Sequence, residues 1–341
     1  MKAESDQYRA LREGAGLLDR SDRGRLVLTG GARRAYLQGI LTNDIEALAP
    51  GSGCYAAYLT AQGRMLADLR VFEMGDAILV DLDVSQAAAT CDRWSMFIFS
   101  EDVQVTDATA TTAQVGVYGP AAAAALAGAL HAGRSSDGQS PTADVLGGMP
   151  LYGNARWDVA GSPVTVLRSD DPGILGFDVV LPLELRDSLL ARLEEHGAVS
   201  VGAGIAEVTR IERGRPKFGV DMTEDTIPLE AGIEDRAISL TKGCYVGQEI
   251  IIRVLHRGGG RVARRLVGLA FPPEAAVPAA PDRIYSAGRE IGVITSAASS
   301  LALGHPIALG YVRREFTVAG TPVDVGESRA AASVAALPFV G

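Results

Sequence analysis

The sequence predicts an α+β protein built from antiparallel sheets, helices and a small C-terminal β-barrel. Short segments with alternating or β-branched residues are joined by turn signals such as Gln62-Gly63, and segments with helical spacing of apolar residues interrupt them. Beyond the triplet Gly258-Gly259-Gly260, short strand-like segments follow one another with few helical signals, which is typical of a barrel or sandwich. A chain of 341 residues exceeds the size at which one core usually stops growing, so about two or three domains are expected.

The individual elements follow from periodicity and from turn residues. Before the glycine triplet, strands are expected at 24–28, 55–59, 65–72, 77–81, 103–106, 114–118, 155–158, 164–167 and 176–181. Helices are expected at 32–40, 85–97, 120–132, 184–196 and 202–214, and residues 133–150 are expected to form a loop. Strands at 265–271, 290–296 and 307–312 would build the barrel.

Composition and charge narrow the class of protein. The hydrophobic share of 47% and the charged share of 21% are ordinary for a soluble globular chain, so disordered and fibrous classes are excluded. The formal charge of −9 disfavours a grip on a polyanion, and no direct nucleic-acid binding is expected. A local basic strip lies around His256 and is most simply interpreted as a solvated surface. It comprises Arg253, Arg257, Arg261, Arg264 and Arg265.

The sequence contains few features that indicate the cellular compartment of the protein. Cys54, Cys91 and Cys244 are odd in number and far apart, which indicates a reducing compartment rather than a disulfide framework. The start MKAESDQYRA lacks the basic-then-apolar pattern of a signal peptide, and no apolar run approaches the ~20 residues of a membrane span. A cytoplasmic protein without a membrane partner is therefore expected.

The thiol of Cys244 is the side-chain group in this sequence that is best suited to be reactive. It lies in KGCYVGQE, residues 242–249, beside Lys242 and before a run that could begin a helix. A thiol at a helix N-terminus next to a lysine lies in positive potential, which favours the thiolate. The alternative is a structural turn in which Gly243 and Gly247 supply flexibility and Cys244 is a small buried hydrophobe; from the residues alone this alternative is preferred.

Other chemistry has weak support in the sequence. No CxxC or HxxxH pair occurs, so no metal site is expected, and no GxxxxGK[ST] or well-placed GxGxxG indicates a nucleotide. Asp68 and Glu212 lie among apolar residues, and a buried carboxylate needs a partner. Such a carboxylate could accept two N–H donors of an amino-pterin edge, but from spacing alone a salt bridge to an arginine such as Arg210 is preferred.

Several segments together resemble the YgfZ family, a branch of the glycine cleavage T-protein (aminomethyltransferase) superfamily. The octapeptide KGCYVGQE resembles the signature of that branch. The segments DRSDRGRLVLTG, YLQGILTNDIEAL with Asn43, and YAAYLTAQGRMLADLRVF resemble the N-terminal half of the superfamily, and TRIERGRPKFGVDMTEDTIPLEAG resembles its central folate-site segment. The resemblance spans about residues 15–265 in interrupted blocks.

The resemblance implies a three-domain ring, with ferredoxin-like antiparallel-sheet domains, around a cavity that holds tetrahydrofolate. Residues 1–50 and 145–258 would form a discontinuous first, folate-binding domain, residues 51–144 an inserted second α+β domain, and residues 259–341 the barrel domain. It also implies folate contacts for Glu212 at the pterin, for Asp68 by the nitrogens that receive the one-carbon unit, and for Tyr55. Asn43 and Arg210, from the matching segments, complete the expected cofactor-binding set.

Two departures separate the chain from the transferases that it resembles. Where those show two adjacent aspartates, this chain has Ala67 followed by Asp68, and the transferases lack the octapeptide with its cysteine. The preferred interpretation is therefore a tetrahydrofolate-binding accessory protein for iron–sulfur enzymes, including those that modify tRNA, with Cys244, Lys242 and Asp68 as its reactive groups. The alternatives are a folate-dependent aminomethyltransferase or demethylase, with Asp68 as the polarising or basic group, and an interaction module that no longer binds folate.

Overall fold

The computed structural model describes residues 2–136, 138–256 and 259–341. Two compact units are distinguished: the first comprises Met1–Tyr58, Ala67–Ala203 and Ile238–Tyr245, and the second comprises Leu59–Leu66, Gly204–Ala237 and Val246–Gly341. Arg257 of the predicted basic strip and Gly258 of the predicted domain boundary lie outside the described residues. The division into three domains stays a prediction.

The first part of the chain alternates strands and helices. The helices are α1 (Lys2–Glu13), α2 (Arg33–Ile40), α3 (Val84–Met96), α4 (Ala122–Ala129), α5 (Ala143–Gly147) and α6 (Arg186–Glu195), the last preceded by a 3₁₀ turn at Leu183–Leu185. The strands are β1 (Ala15–Asp19), β2 (Arg23–Thr29), β3 (Gly53–Leu59), β4 (Met65–Glu73), β5 (Ile78–Asp83), β6 (Gln104–Asp107), β7 (Thr112–Tyr118), β8 (Asn154–Val159), β9 (Ser162–Ser169), β10 (Gly176–Pro182) and β11 (Ala198–Ser200).

These strands form two sheets. The larger has the order β11-β1-β7-β10-β9-β8 and is antiparallel except for the pair β1 and β11. The smaller has the order β3-β4-β5-β2-β6. The alanine-rich α4 and the leucine face of α6 pack on the larger sheet around Phe177 and Trp157, because small side chains allow a helix to approach a sheet closely. The helix α3 packs on β2, where a Cβ at Gly24 would meet the Cβ of Ala87 at 2.5 Å.

The smaller sheet carries charge on one buried face. Arg70 of β4, Asp81 of β5 and Arg25 of β2 are direct partners in the strand register, so their side chains share that face. Asp81 is 1% exposed, and its Oδ1 accepts from Nε of Arg23 at 2.7 Å. Alternation along β4 places Asp68 on the face of Arg70 as well.

Charged and polar groups of the larger sheet and its loops pair with this face. Arg20, just after β1, donates from Nη2 to Oδ2 of Asp171 at 2.6 Å and from Nη1 to the hydroxyl of Tyr118 at 2.7 Å. The same oxygen of Asp171 lies 3.2 Å from Nη2 of Arg70. The Tyr118 hydroxyl in turn donates to Oδ2 of Asp178 at 2.9 Å. Buried ion pairs therefore join the two sheets of the first unit.

The second unit consists of short helices and a closed barrel. The helices are α7 (Ala203–Glu212), α8 (Pro228–Ala231), α9 (Glu234–Ala237) and α10 (Gln248–His256). The barrel strands β12 (Arg264–Ala270), β13 (Arg283–Ser286), β14 (Arg289–Ser299), β15 (Pro306–Arg313), β16 (Pro322–Val325) and β17 (Ala330–Ala335) close in the order β12-β15-β14-β13-β16-β17. A second apolar cluster packs Ile211 of α7 against Leu266 and Leu309 on the barrel.

The predicted α+β class with antiparallel sheets and a C-terminal barrel is confirmed. The predicted strands and helices before the barrel all occur, with ends shifted by a few residues. The predicted loop at 133–150 is wrong in part because Thr142 caps the short helix α5, its hydroxyl accepting from the backbone N–H of Val145. Helix α1 and strand β1 were not predicted.

We expect the buried ion pairs to make stability sensitive to acid. Burial alone would raise the pKa of Asp171, but the charges of Arg70, Arg20 and Arg23 hold it well below its usual range. Its ion pairs therefore contribute stability that is fully present above the unfolded-state pKa of about 3.9 and is lost as pH falls below that value. Asp171→Asn should lower the free energy of unfolding at pH 7 by about 3 kcal/mol and flatten its decline below about pH 4.

Urea denaturation at several pH values measures both quantities. Asp187→Asn is the matched control, because that side chain is 92% exposed and its removal should change neither the stability nor its pH dependence. Parallel pH curves for wild type and Asp171→Asn would contradict the assignment of the acid sensitivity to Asp171.

Candidate functional site

A buried carboxylate and phenol form the centre of the candidate site in the first unit. The hydroxyl of Tyr55 on β3 donates to Oδ2 of Asp68 on β4 at 2.9 Å, and the two residues are 3% and 7% exposed. A hydrogen bond to an ionised acceptor is stronger than one between neutral groups, so this pair fixes the orientation of the carboxylate. The structure thus brings together two of the residues that the sequence predicted for folate binding.

Asn43 attaches the connection between α2 and β3 to this pair. Its Nδ2 donates to the carbonyl of Tyr55 at 2.8 Å, and its Oδ1 accepts from the backbone N–H of Asp44 at 2.8 Å. The neighbouring hydroxyl of Thr42 accepts from the backbone N–H of Ala57 at 2.8 Å. The connection therefore follows β3 through side-chain bonds, which hold Asn43 next to Tyr55.

Lys242 closes the same chain of hydrogen bonds. Its ammonium donates to the carbonyls of Gln38, Leu41 and Asn43 at 2.7, 2.7 and 2.8 Å. Because two of these carbonyls lie at the C-terminal end of α2, the positive charge also faces the negative end of the helix dipole. Burial lowers the pKa of Lys242 to about 8, although the negative charge of Asp44 acts in the opposite direction and raises it.

This geometry changes the interpretation of Lys242. An ammonium has three N–H donors, and all three are used by backbone carbonyls. Lys242, Asn43, Tyr55 and Asp68 thereby form one continuous hydrogen-bonded chain. The contacts make Lys242 a residue that positions the α2–β3 connection, and a direct chemical role for it stays a prediction.

The expected placement of Cys244 at a helix N-terminus is wrong. The helix α10 begins at Gln248, four residues later, because Gly247 adopts a φ of +86° that belongs to no helix. Cys244 is exposed, so the buried-hydrophobe interpretation is wrong as well. The two glycines differ: a Cβ at Gly247 would meet the carbonyl oxygen of Thr60 at 2.5 Å, whereas a Cβ at Gly243 would meet nothing within 4 Å.

Glu212 and Arg210 lie on α7 in the second unit. Glu212 is 1% exposed, and its Oε1 accepts from the hydroxyl of Ser300 at 2.6 Å and from the backbone N–H of Ala302 at 3.1 Å. The backbone carbonyl of Glu212 also accepts from the N–H of Phe339 at 2.9 Å. Glu212 therefore holds two segments of the second unit: its side chain binds the segment with Ser300 and Ala302, and its backbone carbonyl binds Phe339.

Arg210 forms the expected salt bridge, but with other carboxylates. Its Nε donates to Glu207 at 2.9 Å and its Nη1 to Asp221 at 2.7 Å, and its remaining donors are taken by Glu207, Ser296 and the carbonyl of Arg215. The prediction of a partner in Asp68 or Glu212 is wrong, because Glu207 lies one helical turn before Arg210. All five N–H groups are used within the second unit, and folate binding by Arg210 stays a prediction.

Arg70 and Cys54 were not predicted from the sequence as members of this site. Arg70 lies with its guanidinium carbon 6.0 Å from the ring centroid of Tyr55, and the signal that could have found it is its position two residues after Asp68 on one strand face. Cys54 precedes Tyr55, and burial raises its pKa to about 12 against the charge of Lys242.

The basic strip is partly neutralised within the second unit. Arg264 lies 3.2 Å from Glu230 and 4.9 Å from the ring of Tyr311, and Arg265 lies 2.9 Å from Glu234. Within the described ranges, no three His, Cys, Asp or Glu side chains are grouped so as to hold a metal ion. None of the described helices is both long and apolar enough to cross a membrane.

Comparison with known proteins gives a consistent result along the chain. The family model for the GCVT N-terminal domain matches residues 1–242, and the model for the glycine cleavage T-protein C-terminal barrel domain matches residues 264–340. The aminomethyltransferase of Thermosynechococcus vestitus is 30% identical over 322 residues, which cover 94% of this chain and 82% of that protein. That of Streptomyces coelicolor is 29% identical over 346 residues, covering 99% and 89%.

A solved structure extends the comparison to the fold. The crystal structure of glycine cleavage system aminomethyltransferase T from Bartonella henselae superposes with a TM-score of 0.84 at 24% identity. The superposition covers 99% of this chain and 89% of that one.

We expect the cysteines to differ sharply in reactivity. Cys244 is exposed, whereas Cys54 is half-buried and burial raises its pKa to about 12, so little thiolate forms at neutral pH. At pH 7.5, iodoacetamide should modify Cys244 more than about tenfold faster than Cys54, as measured by peptide mass mapping over time. Urea-unfolded protein is the control, since all three cysteines should then react at similar rates. Equal rates in the folded protein would contradict the burial of Cys54.

Proposed function

Because the chain belongs to the glycine cleavage T-protein family, we propose that it binds tetrahydrofolate and transfers a one-carbon unit to it from an aminomethyl donor. The observation that carries this proposal is the buried Asp68, fixed by Tyr55, at the position where the family resemblance places an aspartate by the folate nitrogens. The relatives that match nearly the whole chain bear the name aminomethyltransferase, which supports transfer chemistry.

The available groups suit a folate substrate. A pterin edge offers N–H donors, and buried carboxylates are the strongest acceptors that a protein can present to them. The carboxylate of Glu212 is buried and held by Ser300, and that of Asp68 is buried and held by Tyr55. We therefore propose Asp68, supported by Tyr55 and Asn43, for the reacting end of the folate, and the role of Glu212 at the pterin is proposed from the family resemblance alone.

Asp68 would act on charge and on protons. In the proposed reaction two folate nitrogens would each lose a proton and bond to the methylene carbon of the donor, while the bonds of that carbon to the amine and to the rest of the donor break and these two groups leave with the two protons. A carboxylate at this point stabilises positive charge that develops during transfer, and it can accept a proton from the attacking nitrogen. The hydroxyl of Tyr55 donates to Oδ2 and so orients the carboxylate, and we assign Oδ1 to the reaction. Burial strengthens each of these interactions because little water competes.

A second candidate function is support of iron–sulfur enzymes, as in the YgfZ branch. The octapeptide 242–249 is the observation that favours it, because it places an exposed cysteine on a loop that buried Lys242 holds in place. The names of the relatives support the transferase better than this accessory role. An interaction module without folate binding remains as an outcome of the experiments below.

We expect Asp68 and Glu212 to be separable by substitution. Glu212→Gln keeps an acceptor for Ser300 but loses the charge, so tetrahydrofolate binding should weaken about tenfold or more. Asp68→Asn keeps an acceptor for Tyr55, so binding should change little while turnover falls about 100-fold or more. Anaerobic calorimetry measures binding, and ammonia release with methylene-tetrahydrofolate formation measures turnover.

Glu195→Gln, an exposed change on α6, is the matched control and should alter neither quantity. Wild type that binds no tetrahydrofolate would contradict the proposal and leave the interaction module. Binding without turnover across several aminomethyl donors would exclude the transferase and leave the accessory function.

The accessory function makes its own prediction for Cys244. In cells that depend on this protein, Cys244→Ala should lower the activity of iron–sulfur enzymes because it removes the exposed thiol without disturbing the loop. Cys91→Ala, at a half-buried position on α3, is the control and should preserve activity. Iron–sulfur enzyme activity in extracts is the measurement, and unchanged activity in Cys244→Ala would remove the role given to that thiol.

A further inference from the structure

Arg70 is a buried cation next to the ring of Tyr55 in the candidate site. It is 7% exposed, and it lies on the same face of β4 as Asp68. Its guanidinium carbon is 6.0 Å from the ring centroid of Tyr55, within the range of a cation–π contact. The Tyr55–Asp68 pair is therefore in contact with a positive charge that the transfer chemistry itself does not use.

Two carboxylates fix the guanidinium from its other side. Nη1 of Arg70 lies 3.5 Å from Oδ2 of Asp81, and Nη2 lies 3.2 Å from Oδ2 of Asp171. Asp171 is held in turn by Arg20, which also donates to the hydroxyl of Tyr118. Arg70 is thus the middle member of the buried ion-pair network, between Asp81 and Asp171, and the member that lies next to Tyr55.

The network is a poor solution if stability is its only role. Nε and Nη1 of Arg70 are buried and have no hydrogen-bond partner among the described residues. Each such group costs about 1–3 kcal/mol, and well-packed apolar side chains often replace buried ion pairs without loss of stability. Among the described residues, Nε of this buried arginine has no hydrogen-bond partner and Nη1 has only the 3.5 Å ion pair with Asp81, which calls for a role other than stability.

We propose that Arg70 is a positioning residue, which orients the ring of Tyr55 and, through it, the carboxylate of Asp68. This inference rests on the proposed function for the meaning of Asp68, but the geometry that it describes is independent of folate. Asp81 and Asp171 hold the guanidinium in place, so the orientation of Tyr55 is determined by the sheet-to-sheet ion pairs rather than by β3 alone.

The network also shows which variants can test this role. Removal of Arg70 leaves Asp81 paired with Arg23 at 2.7 Å and Asp171 paired with Arg20 at 2.6 Å. Arg70→Met should therefore fold, and Arg70→Lys restores a positive charge. Arg23→Met is the matched control, because Arg23 is equally buried and shares Asp81 but lies on β2, two strands further from Tyr55.

Two readouts separate positioning from stability. NMR of protein with ¹³Cζ-labelled tyrosine, with the Tyr55 signal assigned by Tyr55→Phe, should show a displaced Tyr55 signal in Arg70→Met and an unchanged one in Arg23→Met. Turnover with tetrahydrofolate should fall about tenfold in Arg70→Met while tetrahydrofolate binding changes little, with Arg70→Lys closer to wild type and Arg23→Met unchanged. Thermal unfolding midpoints report the stability of each variant.

An unchanged Tyr55 signal in Arg70→Met would overturn the proposal, and so would an equal displacement in Arg23→Met. Slowed turnover that Arg23→Met reproduces would also overturn it, since it would assign both arginines a structural role only. Absence of folate binding in wild type would contradict the proposed function but not this inference, because the Tyr55 signal is measured without folate.

Discussion

The ion pairs between the two sheets of the first unit are the interaction on which this unit depends. Asp171 lies between Arg20 and Arg70, one from each sheet region, and Asp81 lies between Arg23 and Arg70. A charge removed from water is costly unless it is paired, so an alignment of the sheets that separated these partners would be disfavoured. Asp68 lies on the same face of β4 as Arg70, two residues before it. The candidate site is therefore an extension of the same buried polar layer.

Lys242 holds the connection between α2 and β3, which carries Asn43. Its three hydrogen bonds to carbonyls tie the octapeptide to the end of α2, and Asn43 carries that attachment to Tyr55. Tyr55 is thus held from the backbone side by Asn43 and from the ring side by Arg70. The lysine of the octapeptide acts on the candidate site through the chain conformation, while the cysteine two residues later faces solvent.

The sequence predicted the elements far better than the contacts. Strands of the barrel could be predicted because alternation and turn residues are local properties. The partners of Lys242 are about 200 residues away in sequence, with a separation of 204 for Gln38, and Ser300 is 88 residues from Glu212. No local pattern encodes such pairs. The helix after Cys244 begins later than predicted for a local reason. Gly247 adopts a left-handed backbone conformation, which a helix does not contain.

The substitution of alanine for the first aspartate of the family pair has a different meaning once β4 is known. Neighbouring residues of a strand point to opposite faces of its sheet, so Ala67 and Asp68 do not share a site. Ala67 is 1% exposed on the face opposite Asp68 and its partner Tyr55. An aspartate at 67 would require its own partners there, and alanine removes that need. The carboxylate on the face of Tyr55 is unaffected, so Ala67 is no argument against transfer chemistry at Asp68. The octapeptide is then the one departure that still favours the accessory function.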